Sequence, residues 1–285
     1  DSSSNNNAIT GNTCNNNDYY GIYLGSSSNN TITGNTCNNN NRGIRLDSSS
    51  NNTITGNTCN NNNYGIRLDS SSNNTITGNT CNNNDYYGIY LDSSSNNNAV
   101  TDNTCNNNSD GIRLDLSSDN TVIGNTCYNN IDGIRLSSSS DNTVTGNTCN
   151  NNNGDGIRLI SIYLDSFSNN NTVTSNTCNN NTNYGIYLGS SSNNTITSNT
   201  CNNNDSVGIY LHSSDNNTIT GNTCIRGTGQ TSNYAPDQYT IRLQGDNNNY
   251  NLISSNNCMG KTVVVEGGTG NSAWGNKFNA TNNLS

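Results

Sequence analysis

Asn51-Asn52-Thr53-Ile54-Thr55-Gly56-Asn57-Thr58-Cys59 returns almost unchanged as Asn73 to Cys81. Variants of the same stretch fill the chain from about residue 7 to its last few residues. The cysteines keep time: Cys14, Cys37, Cys59, Cys81, Cys105, Cys127, Cys149, Cys178, Cys201, Cys224 and Cys258 lie 22 to 24 residues apart, stretched to 29 before Cys178 and 34 before Cys258. A period of this size means stacked supersecondary units that share one core.

Three short segments of each unit alternate apolar and polar residues, the pattern of a half-buried strand. They are Thr53-Ile54-Thr55, Asn57-Thr58-Cys59 and Gly65-Ile66-Arg67-Leu68. Ile54, Cys59, Ile66 and Leu68 read as inward; Thr53, Thr55, Thr58 and Arg67 read as outward. The Asn, Ser, Asp and Gly runs between them are turn formers, and no 3.6-residue pattern occurs. The prediction is an all-β, single-stranded, right-handed parallel β-helix (a solenoid) of about 12 coils of about 22 residues, with three short strands per coil. One domain spans residues 1–285, with insertions near 160–165 and 225–240 and a degenerate last coil at 259–285. In that coil Val263-Val264-Val265-Glu266 aligns with the Ile66 segment, and Phe278 takes the place of a cysteine.

Composition supports this reading and closes others. Only 28% of residues are hydrophobic and 10% are charged, too little apolar material for a compact globule. A solenoid needs only about four inward apolar residues per coil, because backbone ladders join the coils. The net charge of −9 argues against nucleic acid as a partner. No apolar run suggests membrane insertion.

An asparagine stands two places before every cysteine, at Asn12, Asn35, Asn57, Asn79, Asn103, Asn125, Asn147, Asn176, Asn199, Asn222 and Asn256, and Asn276 holds the same place in the last coil. Stacked amides bond each other along the axis, so this reads as a structural ladder. The flanking serine runs, such as Ser48 to Ser50, read as hydroxyl ladders. The cysteines read either as a reduced column of small core hydrophobes or as partly oxidised neighbours, since the coil spacing suits a disulfide. The odd count leaves at least one thiol unpaired within the chain. CxxC-like zinc spacing is absent.

One outward column is chemically distinct: Tyr23, Arg45, Arg67, Tyr90, Arg113, Arg135, Arg158, Tyr187, Tyr210 and Arg242. Asp47, Asp69, Asp92 and Asp115 run beside it. The stripe reads as an interface to a neighbouring subunit, as a solvated face of Arg–Asp pairs, or as a glycan-binding surface. Sequons at Asn29, Asn51, Asn73, Asn170, Asn193, Asn216 and Asn279 are candidate glycosylation sites. Two interruptions break the rhythm: Ile160-Ser161-Ile162-Tyr163-Leu164, read as a protruding arm, and a loop from Ile225 to Thr240 with Tyr234, Pro236 and Asp237. Both are expected to make subunit contacts.

No catalytic set emerges. His212 is the single histidine and reads as exposed. Asp18, Asp85, Asp110, Asp132, Asp155 and Asp205 recur before the third strand and read as loop tips. Calcium is conceivable there, but the glycine-rich nonapeptide calcium repeat is missing. The expectation is therefore no enzyme, no cofactor and no metal site.

The Asn-Asn-Thr-Ile-Thr-Gly-Asn-Thr and Gly-Ile-x-Leu pattern resembles the repeat of NosD-type and carbohydrate-binding/sugar-hydrolase (CASH) parallel β-helix proteins. The resemblance covers nearly the whole chain and implies the fold; such repeats abound in archaeal, methanogen-like cell-surface proteins. It also brings in polysaccharide lyases and a copper-maturation factor. The lyases' Lys, Arg and Asp cluster has no counterpart here, and the one methionine is Met259. A recognisable coil begins within ten residues of Asp1 and another finishes just before Ser285, so unpaired edges at both ends invite head-to-tail addition. The leading expectation is an extracellular, cell-surface structural protein that assembles with itself into a filament, sheath or layer. The alternatives are a glycan-binding adhesion module, with cell-surface glycans as partners, and a polysaccharide lyase.

Overall fold

The computed structural model describes residues 3–161, 167–225, 239–259 and 263–278. These residues form a right-handed parallel β-solenoid without helices, so none could cross a membrane as a helix. Twelve short strands, from Ala8–Thr10 to Ser272–Trp274, pair in chain order into one sheet. Eleven longer strands, from Tyr20–Gly25 to Val263–Glu266, form the other, giving about eleven turns. Every pairing is parallel, and equivalent residues stand opposite one another, as in Ile54↔Ile76 and Leu46↔Leu68.

The three-strand coil needs correction. Coils before the last two have two strands, and in them the expected middle strand is reduced to a single bridge through its threonine, as in Thr36↔Thr58↔Thr80. The reason lies at the corners. Gly56 (φ 61) and Asn61 (φ 56), both left-handed, close in on either side of Asn57-Thr58-Cys59 and leave one outward residue to pair. Only the last pair, Asn257–Cys258 with Lys277–Phe278, is longer.

Four left-handed residues bend one coil: Ser48, Asn51, Gly56 and Asn61. Each is followed by a buried polar residue, namely Ser49, Asn52, Asn57 and Asn62. These residues bond to their copies one turn away. Asn57 Oδ1 accepts from the Asn35 peptide N–H (2.9 Å) and Asn35 Nδ2 (3.0 Å). Its Nδ2 donates to Ile32 O (2.9 Å), Thr55 O (3.1 Å) and Asn79 Oδ1 (3.0 Å). Asparagine suits the place because one amide accepts from the turn before while donating to the turn after. Three asparagine ladders and one serine column thus carry polar groups that would be costly to bury unpaired.

Between the ladders runs the apolar core: Ile54, Cys59, Ile66 and Leu68 are fully buried, as are their copies in the coils between the two ends. Each fully buried Ile or Leu is worth about 1.5–3 kcal/mol. All eleven cysteines are free thiols. Ten are buried in one column and Cys14 is half-buried. Burial pushes the thiols of Cys81, Cys105 and Cys149 well up. Glycine is the second residue of most long strands because this column leaves no room: a Cβ on Gly111 would sit 2.5 Å from Gly133 O and 3.0 Å from Cys127 Cβ.

In the last coil Val263 stands opposite Ile241, Glu266 opposite Gln244 and Phe278 opposite Cys258. Ile162, Tyr163 and Leu164 of the expected arm, the loop residues Tyr234, Pro236 and Asp237, and Asn279 lie outside the described residues. The other six sequon asparagines are exposed, each at a left-handed corner with φ 56 to 58.

Candidate functional site: an arginine, tyrosine and aspartate face

The outward face of the long-strand sheet carries the distinct chemistry. Its central column runs in register, Tyr23↔Arg45↔Arg67↔Tyr90↔Arg113↔Arg135↔Arg158↔Tyr187↔Tyr210↔Arg242. Tyr90 and Tyr210 lie buried among their neighbours, whereas Tyr23 is exposed. The guanidiniums are taken up by carboxylates of the same chain. Arg45 reaches Asp47 (3.2 Å) and Asp69 (2.9 Å); Arg67 reaches Asp69 (2.8 Å) and Asp92 (3.1 Å). Arg113 pairs with Asp115 (2.8 Å) and Arg242 with Glu266 (2.8 Å). Tyr90 donates its hydroxyl to Asp115 at 2.9 Å.

A further column, at the first residue of most long strands, lies on the same face: Tyr20, Arg42, Tyr64, Tyr87, Asp110 and Asp132 among them. Sequence reading did not single out its tyrosines, though they stack with the central column. Ring centroids are 5.0 Å apart for Tyr20–Tyr23, 6.0 Å for Tyr64–Tyr90 and 5.3 Å for Tyr184–Tyr187. Arg67 lies over both the Tyr64 and Tyr90 rings at 5.1 Å. The signal available was the residue before each Gly-Ile, repeatedly aromatic. Tyr19 (69% exposed) and Tyr86 (48%) extend the aromatic surface at its rim.

Between the two tyrosine clusters lies a carboxylate stack, and here the loop-tip reading is corrected. Asp110, Asp132 and Asp155 are buried. Asp110 and Asp132 open long strands, in register with each other. The Asp155 peptide N–H donates to Asp132 Oδ1 (2.9 Å), and that of Tyr184 to Asp155 Oδ1 (3.2 Å). Arg113 holds Asp110 at 3.2 Å, and Arg158 holds Asp155 at 3.2 Å. Burial and the neighbouring Asp132 push Asp110 up to about 6, against the pull of Arg135 and Arg113. The same two causes push Asp155 up to about 7, opposed by Arg158 and the Tyr184 N–H. Asp18, Asp85 and Asp205 are exposed loop residues. Among the described residues, no group of three His, Cys, Asp or Glu side chains is placed to hold a metal ion.

The first part of the chain, residues 1–105 and 64–163, matches the model of the right handed beta helix region, and residues 160–285 match that of the periplasmic copper-binding protein NosD. The residues here do not suit copper: His212 is exposed, Met259 is half-buried, and ten of the thiols are sealed in the core. Copper is therefore not carried over to this chain. A comparison with curated protein sequences found no match.

Among solved structures, the A-module of the Azotobacter vinelandii mannuronan C-5 epimerase AlgE6 is similar at 16% identity and TM-score 0.69, covering 93% of this chain and 85% of that one. The AlgE4 A-module from the same organism is 15% identical, at TM-score 0.68 over 98% and 90%. The Dettilon tailspike protein gp208 is 18% identical, at TM-score 0.69 over 96% of this chain and 61% of that one. These likenesses are of fold. They overturn the expectation that such a chain is not an enzyme, because the same solenoid houses epimerases. That expectation failed for a physical reason: coil register can gather residues distant in sequence on one stretch of sheet, as it gathers Asp110, Asp132 and Asp155, without leaving a local motif. With more than half of its length matched by one family model and its coils built as described, the chain belongs to the right-handed β-helix family.

Proposed function

We propose that the long-strand face binds a neutral glycan lying along the solenoid axis, and that the protein works outside the cytoplasm, extracellular or periplasmic, as a glycan-recognition or adhesion module. The observation that carries this reading is the row of tyrosine platforms, Tyr19, Tyr23 and Tyr86 exposed among them, aligned with fixed Arg–Asp pairs on one sheet. Tyrosine offers a flat apolar ring with a polar edge, and paired Arg and Asp offer forked donors and acceptors for vicinal hydroxyls. The epimerases of this fold act on mannuronan, which supports a polymeric glycan as the ligand. Charge then favours a neutral chain over a uronan: seven arginines on the face meet eight carboxylates. The periplasmic family match supports the location.

The self-assembly expectation rested on head-to-tail addition at unpaired edges and, laterally, on this stripe as an interface; only the lateral part bears on this face. The stripe's guanidiniums are already paired within the chain, so this face does not call for a second copy.

Titration calorimetry with neutral glucans and mannans beside uronate polymers tests the proposal. Neutral polymers are expected to bind, and Tyr86→Ala, Arg67→Ala and Arg135→Ala each to weaken binding; a hot-spot loss of about 1.4 kcal/mol is tenfold. Absence of neutral-glycan binding, or binding indifferent to all three changes, refutes it.

A further inference from the structure

The short-strand sheet offers a second surface that the glycan reading does not use. Each short strand buries its middle Ile or Val and turns its first and third residues outward. Two unbroken blocks of coils, from Thr31–Thr33 to Thr75–Thr77 and from Thr143–Thr145 to Thr218–Thr220, put threonine at both outward places in every coil. Register is one-to-one throughout both blocks. The hydroxyls and methyls therefore form two straight files. Copies within a file are roughly 4.8 Å apart, and the files are about 6.6 Å apart, two residues along a parallel strand.

Three properties set this surface apart from an ordinary solvated sheet. Threonine is β-branched, so its χ1 is stiff and few orientations are open to each member of the array. Hydroxyls stacked at the coil spacing are too far apart to bond each other, since O–H···O bonds need about 2.5–3.0 Å. Within the two blocks and the coils between them, the described exceptions are Thr101 donating to Thr77 (2.9 Å) and Thr174 donating to the Thr197 carbonyl (3.0 Å). The remaining hydroxyls face water. Finally, neither file carries a charge or an aromatic ring within the blocks, so the surface has neither the anchors of a protein interface nor the platforms of a glycan site.

We propose that this threonine face binds ice. The oxygen repeat of hexagonal ice along its a axis lies close to the coil spacing, and the repeat along its c axis is slightly longer than two strand residues. Hydroxyls of both files can take lattice positions while the γ-methyls sit in the hollows between them. Water held over the uncharged array then continues into the crystal. Seven coils contribute a matched pair, and Ala99 and Ile123 interrupt the pattern between the blocks.

The full chain is tested by thermal hysteresis and by partition into a growing ice hemisphere. The wild type is expected to open a gap between melting and freezing points, to facet the crystal and to enter the ice. Thr55→Lys with Thr195→Lys, one in each block, is expected to cut the gap severalfold with an unchanged circular dichroism spectrum and melting temperature. Arg67→Ala, on the other sheet, is expected to leave it intact. A wild type with no gap and no partition overturns the proposal. So does full activity in the lysine variant, or an equal loss in a folded Arg67→Ala. Selective retention on crystalline cellulose or chitin in place of ice overturns it in favour of a different flat solid.

Discussion

Replacing Asn125 with alanine removes one rung of the buried ladder and tests whether amide stacking, rather than the thin apolar core alone, holds the coils together. The side chain makes five hydrogen bonds. Its Nδ2 donates to Val100 O (2.9 Å), Ile123 O (3.1 Å) and Asn147 Oδ1 (2.9 Å). Its Oδ1 accepts from the Asn103 peptide N–H (2.9 Å) and Asn103 Nδ2 (3.0 Å). Asn103 Nδ2 keeps a bond to Ile76 O, but the Asn103 peptide N–H is left buried with no partner, and Val100 O and Asn147 Oδ1 each lose a donor. An orphaned buried group costs about 1–3 kcal/mol, so the fully orphaned N–H with the weakened acceptors predicts a loss of about 3–5 kcal/mol. That is a large share of the roughly 5–15 kcal/mol of a folded domain. Urea unfolding followed by circular dichroism measures it, with Thr126→Ala, outward in the bridge column, as the control expected to shift stability by less than about 0.5 kcal/mol. A loss below about 1 kcal/mol in Asn125→Ala, or equal losses in the two variants, refutes the reasoning.

Gly111→Ala and Gly56→Ala separate two uses of glycine. The first drives a Cβ into the Gly133 carbonyl, a backbone atom that cannot swing away, and is expected to cost about 1–3 kcal/mol or more; the second meets open space and pays only for a left-handed φ of 61, about 1–2 kcal/mol. Chemical denaturation that ranks them the other way contradicts the packing argument. For pH, Asp155 holds its proton to about 7 in the fold, facing Asp132, Arg158 and Tyr184, whereas an unfolded aspartate releases it near 3.9. Its folded value is raised, so the native state binds the extra proton between those limits: its contribution is intact below about pH 4 and is lost as pH rises to about 7, on the order of 4 kcal/mol. Urea midpoints at pH 4.5 and 7.5 should fall with rising pH and should vary less in Asp155→Asn; an unchanged slope in that variant removes Asp155 as the cause. Thiol titration with an aromatic disulfide should modify only the half-buried Cys14 quickly in the native protein and all eleven cysteines in denaturant; rapid native labelling of several thiols would show that the column is open.

The solenoid was legible because its signal is redundant: a coil that misreads one position is corrected by the others, and Ile54, Cys59, Ile66 and Leu68 all point inward as alternation requires. Alternation failed at the start of the long strand. Counting back from Leu68 and Ile66 puts Gly65 outward and Tyr64 inward. In the fold a Cβ on Gly65 would lie 2.9 Å from Cys81 Cβ, so glycine faces the thiol column, two consecutive residues point into the core, and Tyr64 returns to the surface beside Tyr90. A residue with no side chain hides its own direction, and that hid a whole column of the candidate site. The same step explains the aspartates. Asp110, Asp132 and Asp155 precede the same glycine, so they read as loop tips although ladder bonds and arginines hold them buried. Uniform repetition therefore does not make a solenoid's face uniform. The core positions are fixed by packing against their own copies, while the position before the glycine is released to the surface, free to be Tyr in one coil and Asp in the next. Along such a chain the place to look for specific chemistry is the column whose residue type changes most between otherwise identical coils.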